Sequence, residues 1–208
     1  RSYNIETSTI TLASPTKTGY TFDGWYTDEG CTIAKTEITK GSTGDITLYA
    51  KWNANTDTAY KVEHYQQNIA DDEYILVETD TETGTTDTDT VATAKDYAGF
   101  TAKSVEQAKI AADGSTVVKI YYDRNTITLT LNLDGGEGDE SISGKYEEAV
   151  TTPANPTKTG YIFAEWNPEL PATLPAENAT YTAKWNANTD TAYKVEHYQQ
   201  NIADDGYT

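Results

Sequence analysis

The sequence predicts a mainly β protein with little helix, of the α+β class, built as small modules in tandem and drawn out in an elongated array. Three observations predict it. Lys51–Asp72, KWNANTDTAYKVEHYQQNIADD, returns unchanged at Lys184–Asp205, and PTKTGY at Pro15–Tyr20 returns at Pro156–Tyr161. Self-similarity at fixed spacing marks an array of modules rather than one large domain. Several short segments alternate apolar and polar residues with the period of a strand, Thr126–Leu133 most regularly. Hydrophobic residues make only 37% of the chain, which suits several thin cores, while 16 Tyr and 4 Trp argue against disorder.

Taken in order, Arg1–Leu12 reads as extended and rich in Thr. Pro15 and Gly19 break the chain before an aromatic strand, Tyr20–Tyr26, where Gly24 is expected to mark a bulge that returns Trp25 to the core. Asp28–Gly44 is a Gly-containing loop. Asp45–Trp52 is a third strand with Ile46, Leu48, Ala50 and Trp52 inward. Asn53–Thr58 is a polar connector. Tyr60–Tyr65 and Tyr74–Thr79 form a hairpin with Tyr60, Val62 and His64 on one face. Asp80–Thr90 is a Thr/Asp loop, and Val91–Tyr97 reads as a short helix or strand ended by Gly99. Ala108–Tyr122 is a hairpin turning at Asp113-Gly114. Thr126–Leu133 presents Ile127, Leu129, Leu131 and Leu133 on one face and turns at Asp134–Gly136. Tyr161–Trp166 repeats Tyr20–Trp25, and Ala179–Trp185 repeats Ile46–Trp52.

The organisation is therefore an A module at 1–52 that lacks its opening strand, a connector at 53–58, a B module at 59–123, a second A module at 124–185, and a connector with the start of a second B module at 186–208. Trp52 and Trp185 are expected to be buried where each A module meets its connector. Tyr193–Tyr198, without its own partner strands, is expected to pair with an open sheet edge, either of its own second A module or of a neighbouring molecule.

A formal net charge of −18 and a pI near 4.3 repel nucleic acid and anionic membrane surfaces, so neither is expected as a partner. One Cys allows no internal disulfide and does not decide the compartment. With no Met, the chain reads as a fragment or processed piece, and it carries no long apolar run for membrane insertion.

The A modules resemble the internalin-type B-repeat family, also called the Listeria–Bacteroides repeat. The carrying residues are Pro15–Tyr26 and Thr47–Trp52, and in the second copy Asn132–Gly136, Pro156–Tyr161, Trp166 and Ala183–Trp185. The second copy departs at Ala164-Glu165 and in a shorter loop with Pro168, Pro171 and Pro175. Tyr60–Asp123 looks more loosely like mucin-binding-protein repeats, through Val62–Tyr65, Gly99-Phe100, Asp113–Ser115 and Tyr121–Asp123. Both resemblances imply small β-grasp-like domains in secreted or wall-attached bacterial proteins, and neither implies catalysis.

No residue constellation reads as catalytic, cofactor-binding or metal-binding. Glu63-His64 and Glu196-His197 supply too few convergent ligands for a metal, so His64 is expected to be structural. Cys31 has no neighbouring base and reads as an incidental thiol. The acidic runs Glu78–Asp89 and Asp134–Glu140 lack EF-hand spacing and read as solvated turns rather than calcium sites. Trp25, Trp52, Trp166 and Trp185 occupy equivalent places in the two copies and read as core rather than as sugar-stacking platforms. Asn178-Ala-Thr180 fits the glycosylation pattern, expected unused in a bacterial protein. The function expected is a non-catalytic stalk or spacer of an extracellular bacterial surface adhesin. Two alternatives stay open: a module that binds a host glycan or protein, and a spacer in a secreted hydrolase.

Overall fold

The computed structural model describes residues 2–207, and among them it is all β, with twelve strands and no helix. The chain divides into two compact units, Arg1–Arg124 and Asn125–Thr208. The first contains the first A module and the B module.

The B module is a four-stranded mixed sheet of β5 (Thr58–Gln67), β6 (Tyr74–Gly84), β7 (Phe100–Ala102) and β8 (Val117–Arg124), in the order β6-β5-β8-β7. The central strands β5 and β8 run parallel, from Lys61 opposite Val117 to Gln66 opposite Tyr122, with an antiparallel strand on each side. The alternation foreseen in β5 is present: Tyr60, Val62 and His64 are buried, on a core with Ile110, Val118, Ile120 and Tyr122. The hairpin is longer than expected. Thr58 of the expected connector and the next residue, Ala59, pair with Gly84 and Thr83 of the expected loop, so β-branched Thr81 and Thr83 join the ladder.

Two further expectations are corrected here. Val91–Tyr97 is neither helix nor strand, because side chains satisfy its backbone. Gln107 accepts from the Ala92 N–H at 2.9 Å and donates to the Ala92 carbonyl at 2.8 Å, and the Lys95 N–H donates to the Tyr122 hydroxyl at 2.9 Å. The Asp113-Gly114 turn forms, with the Gly114 N–H donating to the Ala111 carbonyl at 2.9 Å, but it closes no hairpin. The segment before it bonds back to Asp87–Thr90 through Ala108 and Ile110, which leaves β8 free to lie beside β5.

The second A module has the same strand order. Its sheet of β9 (Thr126–Asn132), β10 (Ser141–Lys145), β11 (Tyr161–Asn167) and β12 (Ala179–Ala187) runs β10-β9-β12-β11, with β9 and β12 parallel. Ile127, Leu129 and Leu131 are buried against Leu174 and Tyr181, as the alternation predicts, and Leu133 lies just beyond the strand, half-buried. The Asp134–Gly136 turn forms, with the Gly136 N–H donating to the Leu133 carbonyl at 3.0 Å.

The first A module is thinner. It holds β1 (Ile10–Thr11) against β3 (Glu37–Ile38), the latter inside the expected loop, and β2 (Tyr20–Tyr26) against β4 (Tyr49–Ala54). Most of the expected extended N-terminal segment is not strand: Asn4–Thr7 is a turn, and Arg1 lies outside the described residues. No counterpart of β9 exists among the described residues of this module, and none of its residues is fully buried. Ile46–Leu48, matching the part of β12 that β9 holds, is accordingly irregular, so the third strand starts at Tyr49 and not at Asp45. The bulge in β2 is present: pairing skips Asp23, from Phe22 opposite Trp52 to Gly24 opposite Lys51. The second copy makes the same bulge at Ala164, between Phe163 and Glu165, without a glycine.

The repeated segment adopts two structures. In the first copy Tyr60–Tyr65 lies inside β5, flanked by β6 and β8. In the second copy the identical Tyr193–Tyr198 is exposed and forms no strand, and pairing with its own second A module does not occur. The chain holds no second copy of Glu73–Arg124 to flank it, which shows that tertiary partners, not local propensity, make β5 a strand.

Candidate functional site

The built polar centre of the B module is His64. It is buried, and both ring nitrogens have partners: the Tyr122 hydroxyl at 2.7 Å from Nδ1 and the Asp80 carboxylate at 3.2 Å from Nε2. Because the Tyr122 hydroxyl accepts the Lys95 N–H, its own proton goes to Nδ1, and the Nε2–H donates to Asp80. Lys95 Nζ bridges Asp80 at 2.6 Å and Glu78 at 2.7 Å, and the Tyr97 hydroxyl donates to Glu78 at 2.6 Å.

This cluster shifts its own members. The Lys95 ammonium holds the Asp80 and Glu78 carboxyls below their ordinary values, and those carboxylates, Asp80 foremost, push Lys95 up. Burial, then the Glu78 carboxylate, pushes Tyr97 well up. His64 itself is buried with both ring nitrogens bonded, so chemically it is a satisfied core group.

The other candidates do not converge. Among the described residues no group of three or more His, Cys, Asp and Glu side chains is placed to hold a metal ion. Cys31 sits half-buried at the end of a turn with φ 51°, organised by Asp28, whose carboxylate accepts the Ile33 and Thr32 N–H groups and is lowered by them. Of the acidic run Glu78–Asp89, the first half is strand, with Glu78 and Asp80 paired to Lys95. In Asp134–Glu140, Asp134 pairs with Lys158 at 3.8 Å. Asn178 Oδ1 accepts the Thr128 N–H at 2.8 Å.

The four Trp build one recurring arrangement. Phe22 meets Trp25 and Trp52 edge-on at 5.5 and 5.3 Å, and Phe163 meets Trp166 and Trp185 at 5.4 and 5.8 Å. All four are half-buried, so Trp52 and Trp185 are less enclosed than expected. The Trp185 indole N–H donates to the Leu133 carbonyl at 3.1 Å, and Gly136 lies so close that a Cβ there would fall 2.5 Å from the Trp185 ring.

Sequence reasoning missed the joint between the first A module and the B module. The Gly19 carbonyl accepts two hydrogen bonds, from the Asn55 N–H and from the Thr86 hydroxyl, each at 2.9 Å. The Thr86 N–H donates to the Asn55 carbonyl at 2.9 Å, the Thr58 and Thr86 hydroxyls are 2.7 Å apart, and Thr86 is 2% exposed. The Tyr20 hydroxyl donates to Asp87, which pushes Tyr20 up. A Cβ on Gly19 would fall 2.7 Å from Ala112. The available signal was that Gly19 and Asn55 both lie in repeated segments, whereas nothing distinguished Thr86 within its Thr/Asp run.

Fold and site together define a tandem all-β repeat protein in which polar clusters join the first A module to the B module. The Listeria-Bacteroides repeat domain model matches residues 1–51 and 126–197, more than half of the chain, and the chain belongs to that family. The match covers nearly all of both A modules. Two relatives come from Evansella cellulosilytica. One, provisionally named a membrane protein, is 29% identical over 210 residues, covering 92% of this chain and 30% of the relative. The other, provisionally named a Gly-rich membrane protein, is 28% identical over 162 residues, covering 73% of this chain and 18% of the relative. The chain thus spans a third or less of each relative. Among its described residues, no helix is long and apolar enough to cross a membrane.

Proposed function

We propose that this region is a load-bearing spacer of a bacterial surface adhesin, secreted or attached to the cell wall, and that it carries no catalytic activity. The observation that supports it most is the placement of the terminal strands. The B module begins with β5 and ends with β8, and these two lie side by side and parallel over six residue pairs. The second A module begins with β9 and ends with β12, again parallel, over four pairs. Tension along the chain pulls the first strand toward its N-terminus and the last toward its C-terminus. In a parallel pair that is shear, which loads every bond of the ladder at once instead of unzipping them singly. Only Asn125 separates β8 from β9 in sequence, so the load passes between modules without slack chain.

Envelope location fits this reading, since the relatives carry membrane-protein names and the family is a surface-type repeat. The acidic surface suits a stalk that must not self-adhere. The test is a glycan array together with immobilised mucin, probed with the whole chain. A spacer binds neither, and saturable binding to either would overturn the reading. One observation favours a binding role instead: edge strand β6 exposes Ile75, Leu76 and Val77, a surface that strand addition by a protein partner would cover.

A further inference from the structure

We infer that the Gly160–Ile162 face of the second A module is a docking surface for a B-type module, joined through the same contacts that hold the first A module to its B module. This rests on the joint geometry, not on the spacer reading. Gly160 and Tyr161 end the second PTKTGY, as Gly19 and Tyr20 end the first. Gly160 has φ 78° where Gly19 has 75°. The Asn188 N–H donates to the Gly160 carbonyl at 2.9 Å, reproducing the Asn55–Gly19 bond.

Half of the joint is therefore assembled, and the other half of its surface is open. Where a Cβ on Gly19 would fall 2.7 Å from Ala112, a Cβ on Gly160 would meet nothing within 4 Å. Where Tyr20 is half-buried and bonded to Asp87, Tyr161 is 44% exposed and Ile162 63%. Lys158, Tyr161 and Ile162 line a groove of about 720 Å³ on this face. The occupant is identified by the repeat: a module with the sequence of Glu73–Arg124 following Lys184–Asp205, whose Thr85–Asp87 turn would bring a hydroxyl to the Gly160 carbonyl and a carboxylate to Tyr161. A carbonyl already bonded to Asn188 still has a lone pair for that hydroxyl.

The test extends the full chain by a duplicate of Glu73–Arg124 fused after Asp205 and measures amide exchange at Asn188 and Tyr161. Docking predicts at least tenfold slower exchange at both than in the 208-residue chain, and Gly160→Ala in the extended chain should abolish that protection. Both glycines have positive φ, so each alanine carries similar backbone strain; in the 208-residue chain Gly19→Ala should nevertheless speed exchange at Asn55 at least tenfold more than Gly160→Ala speeds it at Asn188, because only a Cβ on Gly19 would meet a neighbour. Unchanged exchange at Asn188 and Tyr161 beside a folded added module would overturn the inference. An added segment that stays unfolded would overturn it too, since the same sequence folds beside the same joint residues at the first A module.

Discussion

Tyr122→Phe removes one hydroxyl and leaves two groups without partners. The Tyr122 ring is 1% exposed, so the Phe side chain fits the same space and the packing loss is small. His64 Nδ1 loses its donor and the Lys95 N–H loses its acceptor. Each unsatisfied buried group costs about 1–3 kcal/mol, and Lys95 is only partly covered, so the sum is about 2–4 kcal/mol. Against a stability of roughly 3–10 kcal/mol for a module of this size, that is a large fraction. Native-state amide exchange at Val62, Val118 and Ile120 reads the opening of the B module directly. At a tenfold change per 1.4 kcal/mol, exchange there should accelerate roughly 30- to 700-fold. An acceleration below about threefold would refute the claim that the His64 network holds the module together.

Gly136→Ala should cost about 1–3 kcal/mol, because its methyl drives into the Trp185 ring and the Thr157 carbonyl; urea unfolding followed by Trp fluorescence checks it. Trp185→Ala should cost about 2–4 kcal/mol, less than for a fully buried Trp, with the loss seen in exchange at Leu129 and Leu131. Because Glu78 and Asp80 titrate lower in the folded B module than their ordinary 4.5 and 3.8, their contribution is complete above about pH 5 and is lost as pH falls through the lowered values. Acid titration of exchange at Val118 should show that loss in the wild type, and Lys95→Met should remove most of it.

How much was legible follows from where the partners lie in sequence. β9 was plain because Ile127, Leu129 and Leu131 alternate against Thr, and the bulge at Phe22–Gly24 because two aromatic residues had to share a face. His64 could be placed in the core from the alternation of β5, but its partners Asp80, Lys95 and Tyr122 are 16 to 58 residues away and had no local mark. Val91–Tyr97 has helix-favouring Ala and Lys, yet the Gln107 side chain and the Tyr122 hydroxyl offer its backbone other partners. The identical segments Tyr60–Tyr65 and Tyr193–Tyr198 show the limit most directly: one sequence pattern, a strand where β6 and β8 flank it, and exposed irregular chain where they do not.

Pulling the whole chain from its two ends in a single-molecule force measurement tests the load-bearing claim most directly. The account predicts discrete rupture steps that differ between modules. The B module, with six parallel pairs between its terminal strands, should yield at the highest force, and the second A module, with four, should yield earlier. The first A module, with no such pair among its described residues, should yield first. Release of the B module should lengthen the chain by roughly 20 nm, from about 3.5 Å per extended residue less the folded span. Smooth extension without rupture steps, or a B module that opens before the second A module, would contradict it.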